Sequence, residues 1–85
     1  MTSRDKRRQH MEDHPNSVRF ADLEAVLRRA GFEGRQQGTS HIVFRHAGLR
    51  ISIVRPHGDE NFVKPAYVRE ALDVLKILEE DSANR

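Results

Sequence analysis

The sequence predicts a two-layer α+β sandwich with the element order α-β-β-β-α, and three observations carry this prediction. Two segments carry apolar residues at helical spacing, the segments between them alternate apolar and polar residues, and glycines or prolines mark the turns. Both amphipathic helices need an apolar surface, so we expect them on one face of an antiparallel three-stranded sheet. The other face of that sheet is expected to stay open to water.

The first helix is expected over residues 20–30. Acidic side chains stand in its first turns and arginines in its last turn, as the helix dipole favours. Gly31 suits the left-handed position that ends many helices. The apolar stripe consists of Phe20, Leu23, Val26, Leu27 and Ala30.

Three strands are expected over residues 33–37, 40–46 and 49–54, with a turn at His46, Ala47 and Gly48. Alternation sends one set of side chains towards the helices. This inward set is Ile42, Phe44, Leu49, Ile51 and Ile53, and the outward set is His41, Val43, Arg45, Arg50 and Ser52. The position of Arg50 relative to Arg45 depends on the strand register, which the sequence leaves open.

The second helix is expected over residues 65–80, because Pro65 suits a first helical position. Its stripe consists of Tyr67 or Val68, Ala71, Leu72, Leu75 and Leu78. Residues 1–16 show no apolar periodicity and are predicted to be a basic tail, flexible or weakly helical; the alternative is a basic arm that touches a phosphate backbone or a partner. The domain proper is then 17–80, and residues 81–85 are a frayed C-terminus.

Composition narrows the classes of protein that the chain can belong to. The 85 residues suffice for one small domain, and a net charge of +2 is weak support for nucleic-acid binding. There is no cysteine, so neither a disulfide nor a thiolate metal site is predicted, and no motif calls for a cofactor. No apolar run is long enough to cross a membrane or to form a signal peptide, so the expected location is the cytoplasm.

Several motifs resemble the HicA toxin family over about residues 18–78. They are "AGF" at the end of the first helix, "GTSHIVFRH" on the second strand, and "RPHG" followed by "VKPAYVREAL" into the second helix. The family's hallmark is a glycine-rich turn before Ser-His, with an aromatic residue soon after. Here Thr39 separates Gly38 from Ser40 and His41, which departs from the common Gly-Ser-His form, whereas Phe44 keeps its spacing.

The resemblance implies a double-stranded-RNA-binding-domain-like fold and a metal-independent endoribonuclease, an mRNA interferase of a type II toxin–antitoxin system. A cognate HicB-like antitoxin would block it, and we expect the free toxin to be a monomer. Such cleavage needs a general base for the substrate's 2′-OH, and histidine suits that task. His41 is the candidate base. The RNA-binding candidates are Ser40, Arg45, Arg50, His57 and Lys64.

The residues alone leave other interpretations open. His41 can equally be a surface histidine in a turn. Ser40 can simply cap the start of the strand, and Arg45 and Arg50 can belong to a solvated, basic sheet face. No residue is identified as the general acid, although His57 is a candidate second histidine, and His46 is expected to be a turn residue. Two other functions remain: a module that binds RNA without cutting it, and an interaction protein that uses a helix face.

Overall fold

Three helices and one three-stranded sheet make up the protein in this computed structural model, which describes residues 3–58 and 61–83. In chain order they are α1 (Ser3–Asp13), α2 (Phe20–Arg29), β1 (Glu33–Gln37), β2 (His41–His46), β3 (Leu49–Val54) and α3 (Pro65–Ala83). The predicted α+β class is confirmed, and the two predicted helices are α2 and α3. Helix α3 continues to Ala83 through residues expected to fray, and residues 84–85 of that expected tail lie outside the described part.

The sheet is antiparallel in the order β1-β2-β3, and one face packs against the helices. The inward residues predicted for β2 and β3 join the apolar stripes of α2 and α3 in a single core. The fully buried members of this core include Leu23, Leu27, Phe44, Ile53 and Val68. The opposite face of the sheet carries no helix from α2 or α3, so it is the open face that alternation predicts.

Strand β1 contains no large apolar residue, and Gly34 explains why it still joins the sheet. Gly34 pairs with Phe44, and a Cβ at Gly34 would come within 2.5 Å of the Phe44 ring. The missing side chain therefore lets the ring lie over β1 and cover its backbone. A buried aromatic ring thus takes the place of the apolar residues that β1 itself lacks.

The turn between β2 and β3 has two residues, Ala47 and Gly48, with φ values of 51° and 80°. Two successive positive φ values match the twist of the flanking strands, which is why such turns dominate short hairpins. The sequence predicts this turn and its glycine. It does not predict Ala47 in the left-handed region, where a residue with a Cβ is held at a cost of the order of 1 kcal/mol.

Helix α1 occupies Ser3–Asp13, where the sequence predicts a flexible or weakly helical tail. Its single buried apolar side chain is Met11, which is fully buried in the common core. Two ion pairs add to this contact: Arg8 binds both carboxylate oxygens of Glu79 at 2.7 Å, and Arg7 lies 3.5 Å from Asp22. The helix therefore packs on α2 and α3, and one apolar residue is too little to produce a periodic pattern. Residues 1–2 of the predicted tail lie outside the described part.

The ion pair between Arg8 and Glu79 predicts a pH-dependent contribution to stability. The hydrogen bond from Arg8 holds the pKa of the Glu79 carboxyl below its ordinary value of 4.5, against the opposing effect of burial and with further help from the charges of Arg8 and Lys76. Because the pKa is lower in the folded state, the contribution is present above the unfolded pKa and is lost as the pH falls through the folded pKa.

We therefore expect Arg8→Met to lower the free energy of unfolding by less than about 1 kcal/mol at pH 7, since the pair is half exposed. The difference from the wild type should vanish in strongly acidic solution. Urea unfolding at a series of pH values measures it, with Glu79→Gln as the control that removes the titrating group. A difference that stays constant from neutral to acidic pH would contradict this assignment.

Candidate active site on the open face of the sheet

The open face presents nine side chains in three rows that run across the strands. Residues paired directly across an antiparallel sheet share a face, and successive rows lie two residues, or about 7 Å, apart along a strand. The histidine row is Gln37, His41 and Val54; the middle row is Arg35, Val43 and Ser52; the arginine row is Glu33, Arg45 and Arg50.

His41 is exposed at the start of the central strand β2, directly after the turn at residues 38–40. Gly38 has a φ of 72°, and no atom lies within 4 Å of where its Cβ would stand, so the approach to this turn is open. The Gln36 amide donates to the carbonyls of Gly38 and Thr39 at 3.3 and 3.4 Å. These two hydrogen bonds from a β1 side chain stabilise the turn.

The His41 imidazole makes no hydrogen bond or ion pair within the described part of the chain. Its strand neighbours are Gln37 on one side and Val54 on the other. A polar and an apolar residue therefore flank the ring, and both of its nitrogens remain available to a ligand. This is the arrangement that proton exchange with a bound molecule needs.

The register resolves the position of the two candidate arginines, because Arg45 and Arg50 lie directly opposite each other. Like charges in that position oppose pairing of the strands, so the arrangement costs stability. Glu33 lies opposite Arg45 on the other side, yet no ion pair forms between them. Four residues of strand place the arginine row about 13 Å from His41. The arginine row therefore lies two side-chain rows along the sheet from the histidine row.

The remaining candidates lie off the open face. Ser40 is half-buried before β2, and its carbonyl accepts the amide of Arg55 at 2.7 Å. His57 is exposed three residues beyond the end of β3, and its carbonyl accepts from the Asn61 amide. Val54, the last residue of β3, pairs with His41. The loop that carries His57 therefore leaves the sheet at the same end as His41.

Lys64 lies before the start of α3 and is exposed. Its carbonyl accepts the amides of Tyr67 at 2.9 Å and Val68 at 3.3 Å, which makes it the N-cap residue of the helix. His46 packs over the helix end at Gly31 and beside Phe32, at 5.4 Å between ring centroids. His46 is therefore a packing residue at the turn, away from His41.

Sequence reasoning missed the residues around Val43. Val43 is predicted to point outwards and does lie on the open face, but it is only 4 % exposed. Glu33, Arg35, Gln37 and Arg45 surround it and form a pocket of about 100 Å³. Alternation along β1 predicts that Glu33, Arg35 and Gln37 share one face. It does not predict that they surround Val43, because that depends on the register between β1 and β2.

A larger pocket of about 380 Å³ lies between the start of α2 and the loop after β3. Arg55 stacks over Phe20 there, with its guanidinium carbon 4.9 Å from the ring centroid. Among the described residues, no three histidine or carboxylate side chains converge on a possible metal position. The rings of His10 and His14 lie 5.2 Å apart without a third such group. No helix in the described part of the chain is long and apolar enough to span a membrane.

These features define a class of small α+β domain in which helices back a three-stranded sheet and the open face carries an exposed histidine and arginines without acidic partners. A family model described as the HicA toxin of bacterial toxin–antitoxin systems matches residues 20–77. The chain belongs to this family and is therefore a toxin whose system includes an antitoxin. No curated protein and no solved structure matches the chain. Helix α1 lies outside the matched residues.

Proposed function

We propose that this toxin is an endoribonuclease that cleaves mRNA without a metal ion and uses His41 as its general base. The observation that carries the proposal is the free, exposed imidazole of His41 on the same sheet face as Arg45 and Arg50. A neutral imidazole accepts a proton near neutral pH, and arginines attract the RNA backbone.

The reaction uses the RNA itself as the nucleophile. His41 removes the proton of a 2′-OH, the 2′-oxygen bonds to the neighbouring phosphorus, and the bond from phosphorus to the 5′-oxygen breaks. The products are a 2′,3′-cyclic phosphate and a free 5′-OH once the leaving oxygen takes up a proton. His57 is the candidate donor of that proton, because its loop leaves the sheet at the same end as His41.

The arginine row holds the RNA rather than the reacting phosphate. Its distance of about 13 Å from His41 corresponds to a phosphate further along the strand. Guanidinium groups suit that role because they bind phosphate oxygens in pairs. Ser40 lies in the turn directly before His41, and Lys64 lies at the N-terminus of α3, where a helix favours anions, so they are the candidates for further phosphate contacts.

We infer that the antitoxin is HicB-like and inhibits by covering the histidine row. An inhibitor that occupies this row denies the imidazole its substrate without altering the fold. An acidic surface on the antitoxin would complement Arg45 and Arg50, since complementary charges accelerate association.

A pair of RNA substrates tests the proposal. The purified toxin, in excess EDTA, should cleave a single-stranded mRNA fragment and leave a 2′,3′-cyclic phosphate. The same fragment with one 2′-deoxy nucleotide at the mapped cleavage position should resist cleavage there, because its nucleophile is absent. Binding of both fragments without cleavage of either would instead identify a non-catalytic RNA-binding module.

A further inference from the structure

The pocket around Val43 borders the candidate base directly. Its wall residue Gln37 pairs with His41 across β1 and β2, and its floor Val43 lies one row, or about 7 Å, along β2 from His41. A spacing of this size is comparable to one nucleotide step along a single strand. An RNA that runs along β2 with its backbone at His41 therefore brings a neighbouring nucleotide to this pocket.

The floor of the pocket favours a nucleobase over a phosphate. Val43 lies on the open face, outside the core formed by the helices and the inward residues of the sheet, yet it is 4 % exposed. The long side chains beside it cover it. A phosphate here would lie beside the Glu33 carboxylate, which repels it, whereas a base carries no charge and can bury its ring over Val43.

The walls carry polar groups that have no partner within the described part of the chain. Glu33, Arg35, Gln37 and Arg45 make no side-chain hydrogen bond or ion pair there. Arg28 on α2, by contrast, is already occupied, since it binds Glu24 at 3.2 Å. The polar groups around Val43 are therefore free to bind a ligand.

The chemistry of these walls matches the edge of a base. The Glu33 carboxylate only accepts hydrogen bonds, the two guanidiniums only donate and can stack on a ring, and the Gln37 amide does both. Adenine, cytosine and guanine each offer an amino group close to a ring acceptor. Uracil offers a carbonyl oxygen in place of that amino group, which would face the carboxylate.

We propose that this pocket reads one RNA base next to the cleavage position and selects a base with an exocyclic amino group over uracil, with Glu33 as the selecting residue. The proposal rests on the proposed function for the placement of the RNA along β2. With uracil the carboxylate would face the O4 carbonyl, which cannot donate, because the N3–H donor of that base lies one position further along its edge. The cost of leaving the carboxylate unpaired at this position is what discriminates between the bases.

Short single-stranded RNAs that differ only by cytosine or uracil at one position test this directly. Binding is measured by fluorescence anisotropy with His41→Ala, which prevents cleavage, and cleavage is measured with the otherwise unchanged protein. At one position flanking the cut, cytosine should be preferred by roughly 5- to 100-fold. Glu33→Gln should reduce that ratio to near one, because the amide also donates to the uracil oxygen.

The matched control is Glu70→Gln, an exposed carboxylate on α3 that undergoes the same change of charge and should keep the preference. Glu33→Asp withdraws the carboxylate by one methylene and should lower the preference too. Circular dichroism verifies that each variant is folded. A preference that survives both changes at Glu33, or that is absent from the unchanged protein at every flanking position, overturns the proposal.

The two readouts separate this proposal from the proposed function. Cleavage without any base preference refutes the base-reading pocket and leaves the ribonuclease standing. Binding that prefers cytosine and depends on Glu33, in a protein that never cleaves, refutes the ribonuclease and leaves the pocket standing.

Discussion

Replacing His41 with alanine should slow RNA cleavage by about 10²- to 10⁴-fold, the usual contribution of a general base. Alanine leaves the 2′-OH without a group to accept its proton, whereas the backbone of β2 and its pairing with Gln37 and Val54 stay in place. Single-turnover cleavage of a labelled RNA measures the rate. Growth arrest on expression without the antitoxin should disappear in parallel.

His14→Ala is the matched control, because His14 is also exposed but lies just after α1, remote from the sheet face in the sequence and fold. This control should cleave like the wild type. RNA affinity of His41→Ala should remain close to that of the wild type, since Arg45 and Arg50 are intact. A His41→Ala protein that cleaves at the normal rate would remove His41 from the reaction.

Replacing Met11 with alanine should lower the free energy of unfolding by about 2–5 kcal/mol. Met11 is fully buried in the common core, on a helix that packs against α2 and α3, so truncation leaves a cavity that its neighbours fill only in part. A small domain commonly has a total free energy of unfolding of about 5–15 kcal/mol, so this loss is a large share of the total. Urea denaturation followed by circular dichroism measures it.

The control for Met11→Ala is Ile77→Ala, which removes an apolar side chain that is 49 % exposed on α3. Its effect should stay within about 0.5 kcal/mol. Equal and small effects for both substitutions would mean that α1 does not share the core with α2 and α3. The ion pairs of Arg7 and Arg8 would then hold α1 on the surface without a buried anchor.

Strand alternation predicts most of the candidate site. Ile42 and Phe44 must face the helices because they are apolar, and this puts His41 and Arg45 on the open face together. The structure confirms that arrangement. The catalytic role of His41 stays a prediction, since neither alternation nor exposure distinguishes a base from a surface histidine.

Other features depend on contacts between distant parts of the chain, which a local pattern does not contain. Helix α1 escapes prediction because Met11 is the one core residue among its described side chains, and its ion pairs join Arg7 to Asp22 and Arg8 to Glu79, the latter across 71 positions. The pocket around Val43 escapes for a similar reason. Glu33 and Arg35 become its walls only through the register between β1 and β2.

Helix α1 also has a consequence for how this toxin can be joined to other polypeptides. The helix packs on α2 and α3, so a fusion partner attached ahead of Ser3 would leave from the helical layer, while the histidine row lies across the sheet from that layer. A bulky N-terminal fusion is therefore expected to leave the open face accessible to RNA and to the antitoxin.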